Sequence, residues 1–112
     1  MQVCKLRVQE LVKSDLLEYL FKEISFVYKR EFGDTTIIAG EEFRLRNSST
    51  QSYFIALNST DTYLYIDIVC GGGSGGIINI LWDSENSFVK KAKGLIAEFC
   101  TTNGKTIEEI DF

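Results

Sequence analysis

Residues 62 to 70 read Thr-Tyr-Leu-Tyr-Ile-Asp-Ile-Val-Cys, with Leu64, Ile66, Ile68 and Cys70 alternating against Tyr63, Tyr65 and Asp67. That is the period of a strand with one face in a core and the other toward water. Turn signals bound it, Asn58-Ser-Thr-Asp before and Gly71-Gly-Gly-Ser-Gly-Gly76 after. Beyond the glycines, Ile77 to Asp83 reads as another strand, with Ile78, Ile80 and Trp82 on its core side. Facing partners in a hairpin share a face, so a three-residue loop, Gly73-Ser74-Gly75, would pair Cys70 with Ile78, Ile68 with Ile80 and Ile66 with Trp82.

Outward from this pair the same two periods organise the chain. Gln2 to Gln9 alternates as a strand, with Cys4, Leu6 and Val8 on one side and Val3, Lys5 and Arg7 on the other. Ser14 offers an N-cap with Asp15 in the first turn, and Leu16, Leu17, Leu20, Phe21, Ile24 and Val27 extend a helix to about Tyr28. Thr35 to Ala39 is a short strand that Gly40 breaks; Phe43 and Leu45 then alternate with Arg44 and Arg46 up to the turn Asn47-Ser-Ser-Thr. Gln51 to Leu57 is the next strand. Asp83-Ser84 caps a second helix whose apolar positions are Phe88, Ala92, Leu95, Ile96 and Phe99, and Asn103-Gly104 ends it. The acidic tail from Thr106 to Phe112 is expected on the surface.

Each helix has one apolar stripe to bury, which predicts an α+β two-layer sandwich: an antiparallel sheet of five to six strands with two helices on one face. The order is strand, helix, four or five strands, helix. It is similar to that of the TATA-binding-protein-like and helix-grip folds, a likeness of order that carries no function.

At 112 residues, with 45% hydrophobic and 25% charged, the chain is one ordinary globular domain spanning residues 1 to 112. The net charge is −4, and residues 57 to 112 carry four basic groups against eight acidic ones. That balance disfavours duplex DNA and anionic membranes, which require clustered Lys and Arg. Cys4, Cys70 and Cys100 have neither disulfide density nor Cys-x-x-Cys spacing, and charges interrupt the start where a signal peptide needs an apolar stretch. The expected setting is a reducing cytoplasm. With no histidine, zinc is disfavoured and Ser-His and Cys-His nucleophile schemes are excluded, and no cofactor is implied.

The stretch from Leu64 through Gly-Gly-Ser to Ile80, followed by Trp82-Asp-Ser-Glu-Asn-Ser-Phe88 opening a helix, resembles an uncharacterised family of small bacterial proteins, a domain of unknown function. The likeness covers the second half of the chain and extends to the first half in element order alone. This chain departs in its extra glycines and in Cys70 ahead of them. The resemblance implies a bacterial cytosolic setting and transfers no catalytic residue.

Gly71 to Gly76 satisfies G-x-G-x-x-G, but a strand rather than a helix is expected after it, which removes the dinucleotide reading. Its amides at Gly73, Ser74 and Gly75, with Ser84 at the start of the second helix, form a candidate ligand-binding set for an anionic group, beside the plainer reading as a bulged hairpin. The outer sheet face is the more unusual feature. It mixes Phe54, Tyr63, Tyr65, Ile77 and Leu81 with Lys5, Arg7, Arg44, Arg46, Asp67 and Asn79. The first five are the candidate interface of a homodimer. The competing readings of this face are an ordinary amphipathic surface, a stacking platform for single strands, and a small-molecule site. The leading functional reading is a non-enzymatic binding or assembly module that self-associates through this face. The alternative is a carrier of a small apolar or anionic ligand between the sheet and the last helix.

Overall fold

The computed structural model describes residues 2–44, 49–71 and 88–110, with Phe43, Arg44 and Ser49 as backbone. The elements are β1 (Gln2–Gln9), α1 (Lys13–Glu23), β2 (Tyr28–Phe32), β3 (Thr35–Arg44), β4 (Ser49–Ser59), β5 (Tyr63–Gly71), α2 (Phe88–Thr102) and β6 (Ile107–Glu109). All strands join one six-stranded antiparallel sheet in the order β2-β3-β4-β5-β1-β6. Both helices lie on one face. Leu16, Leu17 and Leu20 of α1 and Phe88, Ala92, Ile96 and Cys100 of α2 share a single core with Leu6, Val8, Ile38, Ile55, Leu57, Leu64, Ile66 and Ile68. No described helix is long and apolar enough to cross a membrane.

The alternation in β1 and β5 is buried as expected, but the hairpin partner assigned to β5 is not the one observed. Cys70 faces Gln2 on one side and Tyr53 on the other, and Ile68 faces Cys4 and Ile55. Both edges of β5 are therefore occupied, by β1 and β4. Residues 77 to 83 themselves, and the Asp83-Ser84 cap, lie outside the described residues.

Three further boundaries differ. The first helix starts at Lys13 after Val12, with no side-chain cap from Ser14, and it ends at Glu23 rather than near Tyr28. Ile24 is extended and still buried, while Val27, placed on the helical stripe by its spacing, is 84% exposed. The run Ile24 to Tyr28 is rich in β-branched and aromatic side chains that lose rotamer freedom in a helix. Tyr28–Phe32 instead forms an edge strand, joined to β3 by the two-residue turn Gly33-Asp34 with Gly33 at φ 56°. The acidic tail is not merely surface: Ile107–Glu109 adds to β1 opposite Leu6 to Val8.

Gly40 does not break β3, which runs through it paired with Tyr53. It is required for close approach. A Cβ there would lie 2.9 Å from Tyr53 Oη, 3.0 Å from Phe26 Cα and 3.0 Å from the Ser25 carbonyl oxygen. The Tyr53 hydroxyl donates to that same carbonyl, so the segment after α1 is fastened to the sheet over Gly40. Gly40→Ala is expected to cost about 1–3 kcal/mol in urea unfolding, because two backbones would have to part. Thr36 gives the opposite sign: it is fully buried and, among the described residues, Oγ1 has no hydrogen-bond partner. Thr36→Val removes an unsatisfied hydroxyl at nearly constant volume and should raise stability by about 1 kcal/mol in the same titration. No change or a loss would show that the hydroxyl is satisfied.

Candidate functional site

The register of the sheet places the outward side chains in rows across the strands. One row reads Tyr28, Ala39, Phe54, Val69, Val3 from β2 to β1, apolar from end to end. Tyr28, Phe54 and Val3 are 46%, 41% and 40% exposed, so they present real apolar area to water. Adjacent strands are about 4.8 Å apart, which makes the row roughly 19 Å wide. Beside Phe54 the small residues Ala39, Ser52 and Gly71 leave an apolar depression of about 380 Å³ floored by the sheet.

The neighbouring rows are mixed. Arg30, Ile37, Ala56, Asp67 and Lys5 form one, and Phe32, Thr35, Asn58, Tyr65, Arg7 and Glu108 the next. Arg7 is paired with Glu108 at 3.1 Å, and its guanidinium carbon lies 4.6 Å from the centre of the Tyr63 ring. Tyr63 and Tyr65, both half-buried, contact each other with ring centroids 5.9 Å apart. Phe54, Tyr63 and Tyr65 are thus on one face, but the tyrosines belong to a polar network at its far end. The centre of the apolar patch is Phe54. Ile77 and Leu81, and the anion candidates Gly73, Ser74, Gly75 and Ser84, lie outside the described residues, as do Arg46, Asn79 and the Arg44 side chain. Val3, Val69 and Tyr28 were absent from the expected interface. The first two share the parity of Lys5 and Asp67, and Tyr28 was hidden by the over-long helix.

A second concavity, of about 650 Å³, opens between α2 and the β1 edge, lined by Val3, Cys4, Val89, Lys93, Gly94 and Glu109 among others. Cys4 Sγ is 3.7 Å from Glu109 Oε1, and Lys93 Nζ is 2.7 Å from Glu109 Oε2. Burial, and then the Glu109 carboxylate, push the Cys4 thiol up. Lys93 holds Glu109 below the usual carboxylate range, and the same hydrogen bond raises Lys93. The trio is therefore a thiol, a carboxylate and an ammonium at neutral pH, which fastens β6 to α2. It offers neither a thiolate nucleophile nor a free base. Cys70 and Cys100 are buried thiols as well. Among the described residues no three Cys, Asp or Glu side chains converge on a metal position.

On the helix side, Gln51 is buried and its Oε1 accepts from the Phe88 backbone N–H at 2.8 Å, satisfying a helix-end amide. The Tyr53 ring stacks on Phe88 with centroids 3.8 Å apart. Burial, helped by Glu42, pushes the Tyr53 phenol up to about 12. Comparisons with protein-family models, curated proteins and solved structures find no match to this chain.

A phenol that holds its proton more tightly when folded contributes stability that is complete below the unfolded value of 10 and is lost as pH rises toward 12. The decline over that window is expected at about 1.4 kcal/mol per pH unit. Tyr53→Phe should flatten it while lowering stability at pH 7 by about 1 kcal/mol through loss of the bond to Ser25. An alkaline decline unchanged in Tyr53→Phe would place its origin elsewhere.

Proposed function

We propose that this chain is a non-enzymatic binding and assembly module that covers its outer sheet face with a second copy of itself. The observation that carries this reading is the unbroken apolar row with Phe54 at its centre. An open antiparallel sheet face is ordinarily polar where it meets water, and contiguous apolar area on it marks an interface. A two-fold axis running along β4 sets Phe54 against the partner's Phe54 and Tyr28 against the partner's Val3, so the row is complementary to itself. Charge on the face is balanced, Lys5, Arg7 and Arg30 against Glu41, Asp67 and Glu108. That balance favours self-packing over a nucleic-acid platform. Three buried thiols, none of them in a disulfide, go with a reducing cytoplasm.

The cleft between α2 and β1 favours a second reading, a carrier of a small apolar or anionic ligand. Gly94 stands inside α2, where glycine costs about 1 kcal/mol relative to alanine, and nothing lies within 4 Å of the position its Cβ would take. No packing contact among the described residues accounts for it, whereas a ligand in the cleft would. Native mass spectrometry separates the two readings, since a stoichiometric small molecule marks the carrier and a clean oligomer the module.

Sedimentation analysis at micromolar concentration tests the leading reading. The wild-type chain should sediment as an oligomer, and Phe54→Glu, which would bury a charge at the two-fold contact, should halve its mass with unchanged circular dichroism. A monomeric wild-type chain would overturn the proposal.

A further inference from the structure

We infer that β2 is a second self-pairing surface, through which two copies join edge to edge into one continuous sheet. β2 ends the sheet, with β3 on one side and no described strand on the other, and all five of its residues are exposed. An open edge carries unpaired N–H and C=O groups and templates a further strand. Natural edges are guarded by short length, charged side chains, proline or bulges, so the three charges of β2 restrict which strand can pair with it. β2 has no proline, and its charges differ in sign: Lys29 and Glu31 lie on one face and are 3.8 Å apart, while Tyr28, Arg30 and Phe32 lie on the other.

The order of these residues selects both the partner and the register. Two β2 strands related by a two-fold axis perpendicular to the sheet run antiparallel, and residues of one face must meet residues of the same face. Centring the axis on Arg30 is the arrangement that pairs all five positions. It sets Lys29 opposite the partner's Glu31, Glu31 opposite the partner's Lys29, and Tyr28 and Phe32 opposite the partner's Phe32 and Tyr28. Opposite charges and aromatic pairs are the favourable cross-strand neighbours. Shifting by two residues places Lys29 against the partner's Lys29, or Glu31 against the partner's Glu31. The like-charged contact in the centred register is Arg30 with its symmetry mate. Arg30 already has its guanidinium carbon 4.7 Å from the centre of its own Phe32 ring, turned along the strand away from the axis. A second copy of this chain therefore fits the edge. The resulting axis is perpendicular to the sheet and lies at its β2 margin, whereas the axis of the face contact runs along β4, so the two contacts use different surfaces of the chain.

The Phe54→Glu background isolates this contact from the face contact of the proposed function. In that background, sedimentation at tens of micromolar should still detect a dimer. Lys29→Glu should weaken it by about tenfold in dissociation constant at low salt, and Lys29→Glu with Glu31→Lys should restore it. Position is read by crosslinking: Arg30→Cys should form a symmetric disulfide dimer under mild oxidation, since the three native thiols are buried. Lys29→Cys should crosslink when mixed with Glu31→Cys and poorly with itself. All of these residues are exposed, so the fold tolerates the changes. A monomeric Phe54→Glu chain, or a charge exchange that fails to restore pairing, would overturn the edge contact while leaving the face contact standing. Loss of oligomer in Lys29→Glu alone, with Phe54→Glu silent, would overturn the face contact instead.

Discussion

The structure depends on β5 being paired along both of its edges. β4 reaches it through a short turn, but β1 comes from the opposite end of the chain and zips onto it from Gln2 opposite Cys70 to Gln9 opposite Tyr63. Leu64, Ile66 and Ile68 are consequently enclosed, and each contributes roughly 1.5–3 kcal/mol by leaving water. With β1 inserted there, β6 can add only outside it, and β2 becomes the opposite margin of the sheet. The surfaces to which function is ascribed are the ones this arrangement leaves uncovered.

The two faces of the sheet are finished differently. On the helix side the Thr36 hydroxyl is unmatched among the described residues, while Gln51 takes the first amide of α2, Tyr53 reaches the Ser25 carbonyl over Gly40, and Lys91 pairs with Glu42. Cys4, Glu109 and Lys93 close the far margin in a charge state that binds the elements together and leaves no group poised for chemistry. On the outer side, no described helix covers the row from Tyr28 to Val3.

Much of this was readable from residue order, for reasons that differ by element. The strict alternation of β1 and β5 marks a half-buried strand irrespective of its neighbours, and the stripe Phe88, Ala92, Ile96 fixes the buried side of α2. Gly104, at φ 68°, closes α2 where Asn103-Gly104 indicated. Pairing was less accessible. Side-chain parity relates strands that follow one another in the chain, and the insertion of β1, a contact between residues more than fifty positions apart, leaves no local trace. β2 was missed because Ile24 and Val27 continue the apolar spacing of α1. Gly33-Asp34 carried the counter-signal, a two-residue turn glycine that requires a strand on each side. Gly40 was misread because its role is tertiary: the atoms a side chain would strike belong to Ser25, Phe26 and Tyr53. Parity placed Phe54, Tyr63 and Tyr65 on the outer face, whereas the mutual contacts of Arg7, Glu108 and Tyr63 on that face depend on strands distant in the chain.

The central claim is that the row through Phe54 is covered by the same row of a second molecule. Isotope-filtered nuclear Overhauser spectroscopy on a mixture of carbon-13-labelled and unlabelled chains reads that contact atom by atom. The account predicts intermolecular cross-peaks from the Phe54 ring and from the Val3 and Val69 methyl groups, with none from core methyls such as those of Leu64 or Ile66. An assembly whose intermolecular cross-peaks avoid Phe54, or a mixture that gives none at millimolar concentration, would contradict it.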